Sequence, residues 1–224
     1  MAIVDSAGGV VPHQLAPSAS APADPAAVSV AFCADVPSLG YATYYASWDT
    51  SQSTPPSPFQ ADLEKNRLEN EFYRVGLDRA TGGIASVYDK RARKELIRQD
   101  SRAAFNELVA LEDDDQDIRC HFTGKQWRMR DHPSAVKVAE SGPVRLVVEV
   151  AGQFLEKSSR RQEIILYRDL PRIDLVTTLE WEGRKNVQLY QAFPVNVASP
   201  VVKYAIPYGW QQYGCSDGTG VRQV

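Results

Sequence analysis

The acidic run Glu112, Asp113, Asp114, Asp115 and Asp117 sets carboxylates at near-alternate positions, the way a calcium-binding loop begins. The remainder of such a loop is wrong. Counting from Asp113, Ile118 stands where the sharp turn needs a glycine, and Gly124 stands where a bidentate glutamate belongs. The run therefore reads as a solvated loop. Cys120-His121 with His132 offers candidate zinc ligands, yet their spacing fits no usual zinc knuckle, and Trp127-Arg128-Met129-Arg130 between them reads as a strand with core duty. Nucleophilic catalysis lacks a G-x-S-x-G elbow. Ala80-Thr81-Gly82-Gly83 lies in a hairpin turn with no helix behind it to cradle phosphate. The 28 acidic residues permit a carboxylate pair for glycoside hydrolysis without locating one. Tyr44, Tyr45, Trp48, Trp181, Trp210 and Tyr213 could stack on a pyranose, although large aromatics in β proteins more often serve a core or a cross-strand pair. SSRRQE at 158–163 reads as solvated charge at a hairpin tip.

The elements that would position these residues are strands. Pro12, Pro17, Pro22, Pro25, Pro37, Pro55, Pro56 and Pro58 crowd the first quarter of the chain, which is loop-rich for that reason. VPHQLAPSASAPADPAA (11–27) predicts a short strand running into an Ala/Pro/Ser connector, and SWDTSQSTPPSPFQ (47–60) predicts a linker. VSVAFCADVPSLGYATYYASW (28–48) alternates well enough for two strands around a Pro-Ser-Leu-Gly turn. From Leu68, LENEFYRVGLD, ATGG and IASVYD form a strand, a Gly-Gly turn and a returning strand. Farther on, VRLVVEVAGQF, RQEIILYRD, RIDLVTTLEWEG and NVQLYQAFPVNV predict four consecutive strands. KRARKELIRQDS (90–101) is the best helix candidate, of a turn or two at most. This pattern predicts an all-β, antiparallel β-sandwich with at most one or two short helices. The expected division is a small N-terminal β layer (1–50), a Ser/Pro-rich linker (51–66) and a β-sandwich domain (67–224).

Composition narrows the partners. With 25 Lys+Arg against 28 Asp+Glu, the formal charge of -3 leaves no basic excess for nucleic acid. No apolar run approaches the roughly 20 residues of a spanning helix, and MAIVDSAGG lacks the order of a signal peptide. Cys33, Cys120 and Cys215 are too few and too widely spaced for a disulfide framework, so free thiols in a reducing, cytoplasmic setting are expected.

The stretch LENEFYRVGLDRATGGIASVYDK (68–90), continued by KELI (94–97) and FNEL (105–108), resembles the β-sandwich region of glycoside hydrolase family 38, the α-mannosidases. The likeness extends back to VPHQ (11–14) and ADVPSLGY (34–41), and forward to RID (172–174), LEW (179–181), AFP (192–194) and YAIPYG (204–209). It implies a C-terminal sandwich related to galactose mutarotase-like supersandwiches. It also implies a parent enzyme whose N-terminal α/β domain holds zinc through His and Asp ligands and supplies a carboxylate nucleophile, followed by a helical bundle. A retaining mechanism there needs two carboxylates about 5–5.5 Å apart. Nothing before Val11 can encode that domain, so none of its ligands carries over, and this chain alone is expected to be inactive and without a cofactor. The expected partners are the catalytic and helical domains and mannose-containing glycans.

By the same resemblance, the FNEL segment comes nearest the sugar, which makes Asn106 and Glu107 the substrate-binding candidates: an amide and a carboxylate can each bond vicinal hydroxyls. The alternative is that both satisfy buried backbone groups or cap a strand. Family members continue for many strands beyond YAIPYG, so a truncated sandwich with unpaired edges is expected, and with it self-association. A free-standing carbohydrate-binding module is the rival reading. A mutarotase-like epimerase is disfavoured, because His13, His121 and His132 fall on segments with no supporting motif.

Overall fold

The computed structural model describes residues 1–16, 28–48, 55–114, 121–182 and 184–212. In chain order the first strands are β1 (Ala2–Val4), β2 (Val10–Val11), β3 (His13–Ala16), β4 (Ser29–Phe32), β5 (Tyr45–Ser47) and β6 (Gln60–Asp62). Next come β7 (Arg67–Glu69), β8 (Tyr73–Leu77), β9 (Ile84–Asp89), β10 (Lys94–Glu95), β11 (Glu107–Asp113) and β12 (Phe122–Arg128). A 3-10 turn, Met129–Asp131, leads into β13 (Ser134–Ser141), β14 (Arg145–Gln153), β15 (Ser159–Tyr167) and β16 (Ile173–Glu180). The last are β17 (Val187–Ala192), β18 (Lys203–Ile206) and β19 (Gly209–Gln212).

Pairing between these strands is antiparallel. Two sheets form the sandwich: β10-β9-β8-β7-β6 and β13-β14-β15-β16. Period-two alternation sends Tyr73, Val75 and Leu77 of β8 inward and leaves Arg74 outside. They meet Leu146, Val148 and Val150 of β14 and Ile164 and Leu166 of β15 in one buried cluster, with Leu68, Ile84, Val87 and Ile97. Each such side chain contributes about 1.5–3 kcal/mol by leaving water. Asn70 ties the two layers together, its amide donating to the Tyr167 carbonyl while its Oδ1 accepts from the Phe72 and Tyr73 N–H groups. A third sheet, β12-β11-β17, closes over a second cluster of Leu108, Ala110, Met129, Phe154 and Leu155.

The β8–β9 hairpin and the four strands β14 to β17 stand where the sequence puts them. In the hairpin turn the Asp78 carboxylate accepts from the Ala80 and Thr81 N–H groups and the Thr81 hydroxyl, and Gly82 takes φ +67. Residues 28–48 do give two strands with a turn between them, but β4 pairs with β3 and β5 with β1. The connector at 17–27 and part of the linker, 49–54, lie outside the described residues.

Two expectations are corrected. KRARKELIRQDS is not helical: residues 90–93 turn and Lys94–Glu95 pairs with β9. Arg93 sits at φ 50, and the Glu95 carboxylate holds the chain extended by accepting from the Ser86 hydroxyl and the Val87 and Ile97 N–H groups. SSRRQE is not uniformly solvated either. From Ser159 on it belongs to β15, where alternation exposes Arg161 but carries Arg160 inward to 2% exposure.

Candidate functional site

Asn106 and Glu107 lie side by side at the entry of β11, and both are buried. Asn106 takes the left-handed conformation, φ 61, which Asn tolerates better than most residues. Its N–H donates to the Ala192 carbonyl at 2.8 Å, its own carbonyl accepts from Gln162 Nε2 at 2.9 Å, and its Oδ1 accepts from Gln191 Nε2. Glu107 is wholly inaccessible, so its charge requires partners. Arg130 supplies them in a fork: Nε donates to Oε1 and Nη2 to Oε2, each at 2.6 Å. The Ala104 N–H at 2.8 Å and Arg128 Nη1 at 3.4 Å complete the set on Oε2. The Glu107 hydrogen bonds raise the Arg130 guanidinium above its ordinary pKa.

The two arginines gripped by Glu107 border different clefts. Arg130 lines one of about 290 Å³ together with Asp78, Thr81, Arg98, Gln99 and Phe105. Arg128 lines another of about 210 Å³ with Arg102, Val109, Gln126 and Tyr190. Ala103 belongs to both walls, so the Ala103–Ala104 segment divides them. Asp78 is the carboxylate in the first cleft; the Thr81 hydroxyl and nearby N–H groups hold it below the usual carboxylate range. What faces a ligand there is a set of guanidinium and amide donors, suited to binding oxygen atoms rather than to attacking a carbon centre.

The other sequence candidates are placed as follows. Within the acidic run, Glu112 accepts from the Thr123 hydroxyl at 2.9 Å and Arg184 Nη2 at 3.0 Å, and Asp113 accepts from Gln188 Nε2 at 3.0 Å; Asp115 and Asp117 lie outside the described residues. Cys120 also lies outside them, as do Cys215 and Tyr213. His13 is buried with its two ring nitrogens each 3.0 Å from a carbonyl oxygen, of Val11 and of Met1. Among the described residues no three of His, Cys, Asp and Glu are grouped to hold a metal ion, so they do not fit a His/Asp zinc site. Trp181 packs on the second core cluster, and Tyr44 bonds the Asp35 backbone through its hydroxyl. Trp48 and Trp210 stand out to solvent at 78% and 62% exposure.

Arg128 and Arg130 were not foreseen as site residues. Their only mark in the sequence is the alternation Arg128-Met129-Arg130, in which buried Met129 sits between two charges.

The chain matches the family model described as "Glycosyl hydrolases family 38 C-terminal domain" over residues 68–213. The chain belongs to glycosyl hydrolase family 38. Within that family the match places the two-sheet sandwich and the Glu107 site in the C-terminal domain. Solved structures agree on the fold. An alpha-mannosidase from Enterococcus faecalis V583 superposes with a TM-score of 0.64 at 12% identity, over 94% of this chain and 28% of that one. A protein in glycosyl hydrolase family 38 from Enterococcus faecalis gives a TM-score of 0.64 at 12% identity, over 94% of this chain and 29% of the other. This family 38 chain thus spans under a third of those chains. No curated protein matches it. Among the described residues no helix is long and apolar enough to cross a membrane.

Proposed function

We propose that the chain is the non-catalytic C-terminal sandwich portion of a zinc-dependent retaining α-mannosidase, supporting the catalytic domain and contributing to the approach of a mannose-containing glycan. One observation carries this reading. The residues that the family resemblance put nearest the sugar, Asn106 and Glu107, are engaged inside the protein, so Glu107 acts through Arg130, which borders an open cleft. In this proposal zinc, nucleophile and acid/base group belong to the catalytic domain, and the partners are that domain and the helical bundle. A cytoplasmic setting, in which Cys33 remains a thiol, belongs to the same proposal. So does self-association through sheet-end strands such as β16 and β17, each paired along one side only in its sheet.

The test is hydrolysis of a chromogenic α-mannoside by this chain, by the parent's catalytic portion, and by the two mixed. No turnover by the chain, with or without zinc, and a rise in the activity of the catalytic portion on adding it, are expected. Turnover by the chain alone that disappears on chelation would overturn the proposal.

The exposure of Trp48 and Trp210 favours a second reading, a carbohydrate-binding sandwich. Quenching of indole fluorescence by mannosides, lost in Trp48→Ala or Trp210→Ala, would support it.

A further inference from the structure

The cleft beside the β8–β9 turn has two features that an accessory sandwich does not require. Arg130 engages Glu107 through Nε and Nη2, and among the described residues no partner takes its Nη1. Arg98, its side chain 52% exposed, lines the same cleft, and among the described residues its side chain has only a loose partner, the largely exposed Asp100 at 3.7 Å.

The second feature lies behind the cleft wall. Arg160 Nη2 donates to the Ser134 hydroxyl, which in turn donates to the carbonyl of Thr81, a lining residue. Arg160 is 2% exposed, and among the described residues its Nε and Nη1 have no hydrogen-bond partner and no carboxylate pairs with it. Two hydrogen bonds behind the lining therefore stands a guanidinium that is buried and uncompensated. Where water is excluded, such a charge acts over a longer distance than at the surface. Asp78 opposes it from within the cleft, but its Oδ1 already accepts from Ala80 N–H, Thr81 N–H and the Thr81 hydroxyl. A volume of about 290 Å³ leaves ample room for a phosphate or carboxylate group.

We infer that this cleft is an oxyanion site: Arg130 Nη1 and Arg98 donate to a phosphate or carboxylate group, and Arg160 supplies charge from behind. The inference does not depend on the accessory role proposed above. A catalytically silent chain could bind the anion, and a mannosidase partner could lack the site.

Inorganic phosphate titrated into the whole chain, read by the amide resonances of Thr81, Gly83 and Ala104, tests it. Acetate serves as the carboxylate arm and chloride at matched ionic strength as the control. Saturable shifts with phosphate or acetate that chloride does not reproduce are expected, and whichever arm binds identifies the anion. Arg98→Gln, at an exposed position outside the Glu107 cluster, should weaken binding about tenfold, the loss expected for one charge-assisted hydrogen bond. Arg160→Met should weaken it several-fold without altering the lining, and Lys137→Gln, at an exposed side chain of β13 that does not line the cleft, should leave it unchanged. Shifts no larger than those caused by chloride, or unaltered binding in both arginine variants, would overturn the inference.

Discussion

Gln14 holds the Val144–Arg145 backbone across 130 residues of chain: its Oε1 accepts the Val144 N–H at 3.0 Å and the Arg145 N–H at 2.9 Å. Its Nε2 donates to Glu140, which also takes a two-point bond from Arg145. One side chain on β3 thus occupies the turn between β13 and β14. The contact ties β3 to the sandwich.

Gln14→Ala leaves one buried and one partly buried N–H group, of Val144 and Arg145, without that acceptor, each worth about 1–3 kcal/mol. Faster amide exchange at Val144 and Arg145, and earlier proteolysis within the first 48 residues, are the expected outcomes. Gly142→Ala should do the same by a different route, because a Cβ there would stand 2.6 Å from Gln14 Cδ. Wild-type exchange in both variants would show that the contact is dispensable.

Glu107→Ala removes, from a wholly buried position, the carboxylate that pairs with both Arg128 and Arg130. Breaking a buried pair from one side costs about 3–5 kcal/mol. For a chain of this size that is a Tm fall of roughly 6–20 °C. Glu107→Gln should fall between this and wild type, since the amide keeps one acceptor for Arg130 but not the fork. Calorimetry of the three proteins orders them, and an unchanged Tm in Glu107→Ala would mean that the cluster carries little stability.

Arg160 behaves in the opposite sense. Burial pushes its pKa down, and among the described residues its side chain hydrogen-bonds only to Ser134. Arg160→Met keeps an unbranched apolar stem and removes the uncompensated charge, so without added anion the variant should be as stable as wild type or more so by about 1 kcal/mol. Urea midpoints measure this. A large destabilisation would reveal a counter-charge near Arg160.

The hairpin at 73–89 was legible in the sequence because its determinants are local: Asp78, Thr81 and Gly82 build the turn, and Tyr73, Val75 and Leu77 alternate. The strands β14 to β17 were legible for the same reason, as long β-branched runs between turn residues. What was not legible depends on distant residues. Arg160 looks solvated until Ser134, itself bonded to the distant Thr81, takes its hydrogen bond, and Glu95 looks helical until Ser86 and Val87 claim its carboxylate. At the candidate site the segment was located and the atoms were not. FNEL marked Glu107, but only the fold shows that Arg130, 23 positions on, is the side chain that borders the cleft.

Gly82→Ala tests the turn itself. At φ +67 an alanine costs about 1–2 kcal/mol. Its methyl would also collide with Val150 Cγ1 of the opposite sheet. The combined loss should exceed about 2 kcal/mol, whereas Gly83→Ala, at an ordinary backbone conformation, should cost less. Equal losses in the two variants would contradict the assignment of the left-handed position to Gly82.

The pH dependence of stability follows from Glu95. Burial pushes its pKa up, but the Ser86 hydroxyl and the N–H groups of Ile97 and Val87 outweigh burial and leave it below the ordinary value. A carboxylate depressed in the folded state contributes stability that is fully present above its unfolded pKa, about 4.3, and is lost as pH falls through the folded value. Glu95→Gln should therefore be less stable than wild type at pH 7, by about 1 kcal/mol given partial solvent exposure. The gap should narrow only below about pH 4.3 and close once the wild-type carboxylate is protonated. Urea denaturation of both proteins from neutral pH down into the acid range measures the difference directly. A gap that stays constant through that range would mean that the hydrogen bonds hold β10 equally well to a neutral side chain, and that its charge contributes nothing to this corner of the sheet.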